Sequence, residues 1–195
     1  MEKYNADKFW KLIDGAVKVS NGNQVLFEKF LVKQLTKVSL EEIKNFEIVF
    51  RKVVIDADDY KVMAAQKIIE GYVSDDPYLY FRCWLIGQGK KVYDETLKNP
   101  DYLADIVRKD EIYELEALMY VATKAYSEKL DKEEDDTFPR DNAIGLGLDY
   151  DFGAPPTKGI DWKEEELPTL YPKLWAKLHS SKSSSIWERL KRFLG

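Results

Sequence analysis

One pattern governs this chain. Apolar residues recur at the spacing of an α-helix in segment after segment, and no run alternates as a half-buried strand requires. Phe9, Leu12, Ile13, Ala16 and Val17 fall at i, i+3, i+4, i+7 and i+8 and share one stripe. Asn5 is placed to cap that helix, and Ser20-Asn21-Gly22-Asn23 stops it. A second helix carries Phe27, Phe30, Leu31 and Leu35. Ser39-Leu40-Glu41-Glu42 has the form of a capping box, with Ile43, Phe46, Val49, Phe50 and Val53 behind it. Tyr60 to Glu70 form a fourth helix closed by Gly71. Asp76-Pro77 opens a fifth that runs to near Gly89, and its apolar side chains go nearly all round, as in a central buried helix. Lys90 to Lys98 and Asn99-Pro100 to Ile106 follow. Asp110 then caps a long helix with a seam of Ile112, Leu115, Met119, Ala122 and Tyr126. The reading is an all-α fold: a single multi-helix domain of eight to ten helices, with no sheet beyond a small hairpin in 131–160.

The character changes at Leu130. Residues 131–166 hold 12 acids and 4 bases, and Gly145, Gly147, Gly153, Pro155, Pro156 and Gly159 keep the stretch from regular structure. An irregular acidic segment this long needs anchors. Phe138, Ile144, Leu146, Leu148, Tyr150, Phe152, Ile160 and Trp162 are available to hold it over the helices. Helix returns after Pro172. The domain plan is therefore a helical domain over 1–179, a Ser-rich linker over 180–185 and a short C-terminal amphipathic helix over 186–195. Ser185 and Glu188 can box that last helix, and Ile186, Trp187, Leu190, Phe193 and Leu194 form its apolar side. Residues 167–195 carry 6 bases and 1 acid. This tail is a candidate partner-binding surface: it docks on its own domain, meets another protein, or contacts an anionic membrane surface through 185–194.

Residue counts exclude several chemistries. Cys83 is the one cysteine, so an intrachain disulfide and a cysteine metal cluster are both ruled out. His179 is the one histidine, and any Ser–His–Asp set would have to use it. Asp149 to Gly153 suggests a calcium loop only faintly, because Ile160 stands where the closing glutamate belongs. No metal and no cofactor is expected. A net charge of −5 disfavours nucleic acid as a partner. No apolar run approaches the roughly 18–20 residues of a transmembrane segment. The first eight residues lack a secretory apolar region, so a cytoplasmic location is expected.

Arg82 is the polar residue that most needs an explanation, since it falls between Leu85 and Ile86 on the wheel of a buried helix. An enclosed guanidinium requires a carboxylate, and Asp75, two turns back on nearly the same azimuth, is the first choice. The pair is either a structural bridge or part of a polar-ligand pocket built from Ser74, Asp75, Asp76, Arg82 and Gln88. Adjacent Asp75 and Asp76 do not make a convincing acid–base pair, because a helix N-terminus already accounts for one of them.

Three stretches together resemble a bacterial family, the domain of unknown function numbered 4240. They are Asp7-Lys8-Phe9-Trp10-Lys11-Leu12-Ile13, Ser74-Asp75-Asp76 through Tyr80-Phe81-Arg82-Cys83-Trp84-Leu85-Ile86-Gly87-Gln88-Gly89, and Tyr171-Pro172-Lys173-Leu174-Trp175. The resemblance spans about residues 4–178 and implies a cytoplasmic, mainly helical domain. It implies no activity. Some relatives carry a WGR module beside this domain, and this sequence has none. The expected function is a non-enzymatic protein-interaction module, one form of which would neutralise a basic partner. The alternative is a small polar-ligand-binding or enzymatic domain centred on Asp75 and Arg82.

Overall fold

The computed structural model describes residues 6–109 and 111–179. Among them, 69% are helical and none belongs to a strand; the one bridge pairs Asp59 with Lys158. The Ser-rich linker, the C-terminal helix, Asn5 and Asp110 lie outside the described residues.

Local chemistry sets the first six helices. They are α1 (Ala6–Ser20), α2 (Gln24–Leu35), α3 (Leu40–Asp56), α4 (Tyr60–Glu70), α5 (Asp75–Gly87) and α6 (Lys90–Lys98). Asn23 accepts the Leu26 N–H at the start of α2, and Ser39 and Glu42 form the full capping box of α3. Helix α5 begins one residue earlier than Asp76-Pro77 suggests and stops at Gly87, before Gln88. Its buried side chains run from Tyr78 to Ile86 with only Tyr80 partly open. It packs against α1, α3, α4 and α6, so it is the central helix that its all-round apolar wheel implies.

The long helix after Asp110 does not form. Residues 111–115 are irregular, a 3₁₀ turn covers Glu116–Tyr120, and α7 begins only at Val121 and ends at Leu130. Tertiary bonds occupy the backbone groups that a helix would need. The Leu115 N–H donates to the Tyr80 carbonyl, Gln24 Nε2 donates to the Glu114 carbonyl, and the Tyr113 hydroxyl ties to the Arg108 backbone. Ile112, expected on the seam, is 76% exposed.

The acidic segment is more ordered than its glycines suggest. Pro139–Gly145 form helix α8, with proline in the first turn where it needs no N–H partner. Phe138 and Tyr150 are buried, and Trp162 Nε1 donates to the Tyr60 carbonyl at 2.9 Å. The remaining chain crosses the α3–α4 turn, where the Lys158 N–H reaches the Asp58 carbonyl at 3.1 Å and the Tyr60 N–H reaches the Lys158 carbonyl at 2.9 Å. Gly159 follows with φ +87°, and a Cβ there would stand 2.7 Å from Asp59 Oδ1. Ile144, Leu146, Phe152 and Ile160 do not act as anchors: all four are exposed. Helices α9 (Leu167–Leu170) and α10 (Pro172–His179) close the described chain, with α10 packed against α4 and α9 against α10. Asp101 holds α10 by accepting the Leu174 N–H at 2.8 Å. No described helix is long and apolar enough to cross a membrane.

Candidate functional site

Helix α5 separates the residues expected to form one pocket. Ser74, Asp75 and Asp76 are exposed at its N-terminal end, and Ser74 makes no side-chain cap. Gln88 lies past the other end, about 21 Å away at the helical rise of about 1.5 Å per residue. Arg82 sits between them and is 5% exposed. Its carboxylate is Asp58, at 3.6 Å, and not Asp75. Its Nη1 also donates to the Val54 carbonyl at 3.3 Å, and its guanidinium lies 4.6 Å from the Tyr78 ring centre. The partner comes from the α3–α4 turn, across the packing interface. The Tyr78 hydroxyl pins that turn, accepting the Asp59 N–H and donating to the Asp59 carbonyl, both at 3.1 Å. Burial holds the Tyr78 phenol well above its usual value. Asp58 Oδ1 and Arg82 Nε find no hydrogen-bond partner among the described residues. This is a packed charge in the core, braced to a turn.

A second buried pair gave no comparable warning in the sequence. Arg51 Nε donates to Glu47 Oε1 at 2.7 Å, with side chains 2% and 3% exposed. Its Nη1 donates to the Leu148 carbonyl at 3.0 Å, and its guanidinium stands 4.4 Å from the Tyr150 ring centre. Arg51 thereby fastens the acidic segment to α3. Burial pushes the Glu47 carboxyl up, with Arg51 opposing. The i,i+4 spacing of Glu47 and Arg51 along the apolar face of α3 was the available signal.

Two surface clefts among the described residues take in residues expected at the site, Gln88 in one and Asp76 in the other. The first, about 690 Å³, lies between the α1–α2 turn, the end of α5 and residues 106–108 and 111–115. Gln88, Asn21, Gln24 and Arg108 are on its polar wall, with Trp84 and Phe27 behind. The second, about 330 Å³, lies between the start of α5, the 3₁₀ turn before α7, α8 and residues 149–152. Its rings are Tyr80, Tyr120, Tyr150 and Phe152. Its charges are Arg51 and Arg140 against Asp76, Asp149 and Asp151. Arg82 lines neither cleft. Ile144 and Phe152 carry the second cleft outward as an exposed apolar rim, and Leu146, two residues after Ile144, is exposed as well.

Reactive groups are placed for structure. Cys83 is fully buried and its thiol is pushed up to about 12 by desolvation. His179 stacks on Trp175 with ring centres 3.9 Å apart at an exposed helix end. Asp149 accepts the N–H groups of Asp151 and Gly153 at 3.0 and 2.8 Å, so it folds its own loop. Among the described residues no group of three His, Cys, Asp or Glu side chains could hold a metal ion.

Residues 4–128 match the sequence model of a family described as protein of unknown function, DUF4240. No curated protein and no solved structure matches the chain.

Proposed function

We infer, for a chain that belongs to the DUF4240 family and takes no assigned activity from it, that it acts as a cytoplasmic, non-enzymatic protein-interaction module. Its partner is a basic protein, met through the acidic segment. One observation carries this reading. Ile144, Leu146 and Phe152 are held in water by a segment that carries 12 acids and 4 bases. The segment itself is fixed from below by Phe138, Tyr150 and the Arg51–Leu148 bond. Apolar side chains exposed on an ordered, like-charged face combine anchors for a complex with electrostatic steering toward a cationic surface. A basic enzyme whose working face was covered in this way would be neutralised.

The test compares the parent chain with a Leu146→Asp/Phe152→Asp variant as bait in a lysate of the native cells. A captured protein of net positive charge that the parent retains, the variant loses and raised salt releases supports the reading. Capture that is indifferent to both salt and the two substitutions overturns it.

A second reading, binding of a small polar ligand, draws support from the first cleft, whose volume of about 690 Å³ is that of ligand sites. It moves the ligand from Arg82 to Gln88. Thermal-shift screening of the parent against Gln88→Ala tests it, and a ligand that stabilises both equally places binding elsewhere.

A further inference from the structure

We propose that the second cleft is a receptor for a single arginine side chain of the partner, held between the Tyr80 and Phe152 rings with Asp76 and Asp151 as its counter-ions. This rests on the interaction reading above and specifies its anchor.

The cleft already shows which cation its rings accept. Two of its four rings are covered by the protein's own guanidiniums: Arg51 over Tyr150 at 4.4 Å and Arg140 over Tyr120 at 5.6 Å. No described cation lies over Tyr80 or Phe152, and Phe152 is fully exposed. A planar guanidinium stacks on such faces while its edge N–H groups reach carboxylates.

The charges favour a cation as well. Arg51 is matched by Glu47, and Arg140 Nε lies 3.7 Å from Glu134. Asp149 is spent on its own loop. That leaves Asp76 and Asp151, whose carboxylates meet no described cation. The field at Tyr80 agrees: its phenol is held above its usual value, first by desolvation and then by Glu116, Asp76 and Glu114. An anionic ligand would meet these acids with both arginines already matched. The volume, about 330 Å³, suits one side chain rather than a folded element.

The experiment titrates the full chain with N-acetyl-arginine amide, a cation without a carboxylate, and follows backbone and aromatic NMR signals. N-acetyl-citrulline amide, the uncharged isostere, and N-acetyl-glutamate amide are the controls. Saturable shifts at Tyr80 and Phe152 with the arginine probe alone are expected, weakening by about tenfold in Asp76→Asn/Asp151→Asn. Both aspartates are exposed, so that variant keeps its fold, which the unchanged remainder of the spectrum verifies. No shift at these rings, equal shifts from citrulline, or tighter binding of glutamate overturns the proposal. If the probe fails while Leu146→Asp/Phe152→Asp still abolishes capture of a basic partner, the interaction reading stands and the arginine receptor does not. If both fail, the interaction reading falls too.

Discussion

Arg51→Met removes the cation paired with Glu47 while keeping much of the side chain's volume. Deleting one member of a buried pair costs about 3–5 kcal/mol, mostly because the other charge is left uncompensated. Arg51 belongs in the upper part of that range. Both side chains are 2–3% exposed and the bond is 2.7 Å, so water cannot replace the lost partner. The Leu148 carbonyl and the Tyr150 ring lose their guanidinium in the same step. We expect a deficit of about 4–5 kcal/mol at neutral pH, read as a lowered urea midpoint with an unchanged slope. The deficit must depend on pH with a definite sign. The Glu47 carboxyl is already raised above its usual 4.5 by burial, and losing Arg51 raises it further. A raised carboxyl keeps its proton in the folded chain at a pH where the unfolded chain has released it. The penalty is therefore full above the folded value and gone below the unfolded one. Acidifying from neutral pH toward 4.5 should shrink the gap between variant and parent. Adding Glu47→Leu removes the stranded charge, and the double variant should return to within about 1 kcal/mol of the parent. A single variant as stable as the parent, or a double variant as unstable as the sum of the singles, refutes this account.

Arg82→Met should cost less, about 2–3 kcal/mol by urea denaturation, because the Asp58 side chain is 14% exposed and water can reach it. Gly87→Ala should destabilise by about 1–3 kcal/mol, since a Cβ there would lie 2.4 Å from Leu115 Cδ2; combining it with Leu115→Ala should recover the overpacking term in a double-mutant cycle. Cys83, with its thiol pushed up to about 12, should resist alkylation in the native protein at mildly alkaline pH and react at the normal rate only in denaturant. Leu146→Asp/Phe152→Asp should shift stability by less than about 0.5 kcal/mol by the same urea assay, since both side chains are already in water.

Where helical structure is decided by residues close in sequence, the sequence was easy to read. The Ser39–Glu42 box, the Asn99 cap and the 90–98 helix follow from neighbours two to four positions away, and the structure has each of them. The segment after Asp110 was not readable in this way. Its apolar residues do have helical spacing, but the Tyr80 carbonyl, Gln24 and the Arg108 backbone claim Leu115, Glu114 and Tyr113. Those partners lie up to 90 residues away, and no local window contains them. The same limit explains Arg82. A helix wheel shows that it is buried and in need of a carboxylate, but it offers only partners on the same helix. Asp58 arrives from a turn 24 positions earlier, brought there by packing of α5 on α3 and α4.

The acidic segment sets a different problem, because irregular chain has no period to sort inward from outward residues. Eight apolar side chains look equivalent in the sequence, yet the structure divides them. Phe138 and Tyr150 enter the core and Trp162 binds the Tyr60 carbonyl, while Ile144, Leu146, Phe152 and Ile160 face water. Three inward contacts, with Arg51 on the Leu148 carbonyl and Lys158 across the α3–α4 turn, account for the order of the segment. The outward residues contribute almost nothing to that order. A polar residue at any of those positions would serve the isolated fold as well and would avoid an aggregation-prone surface. In the interaction reading proposed above, these are the side chains that a partner would cover. Set beside Asp76 and Asp151, which meet no described cation, they would suit the partner proposed above, apolar at its centre and basic at its edge.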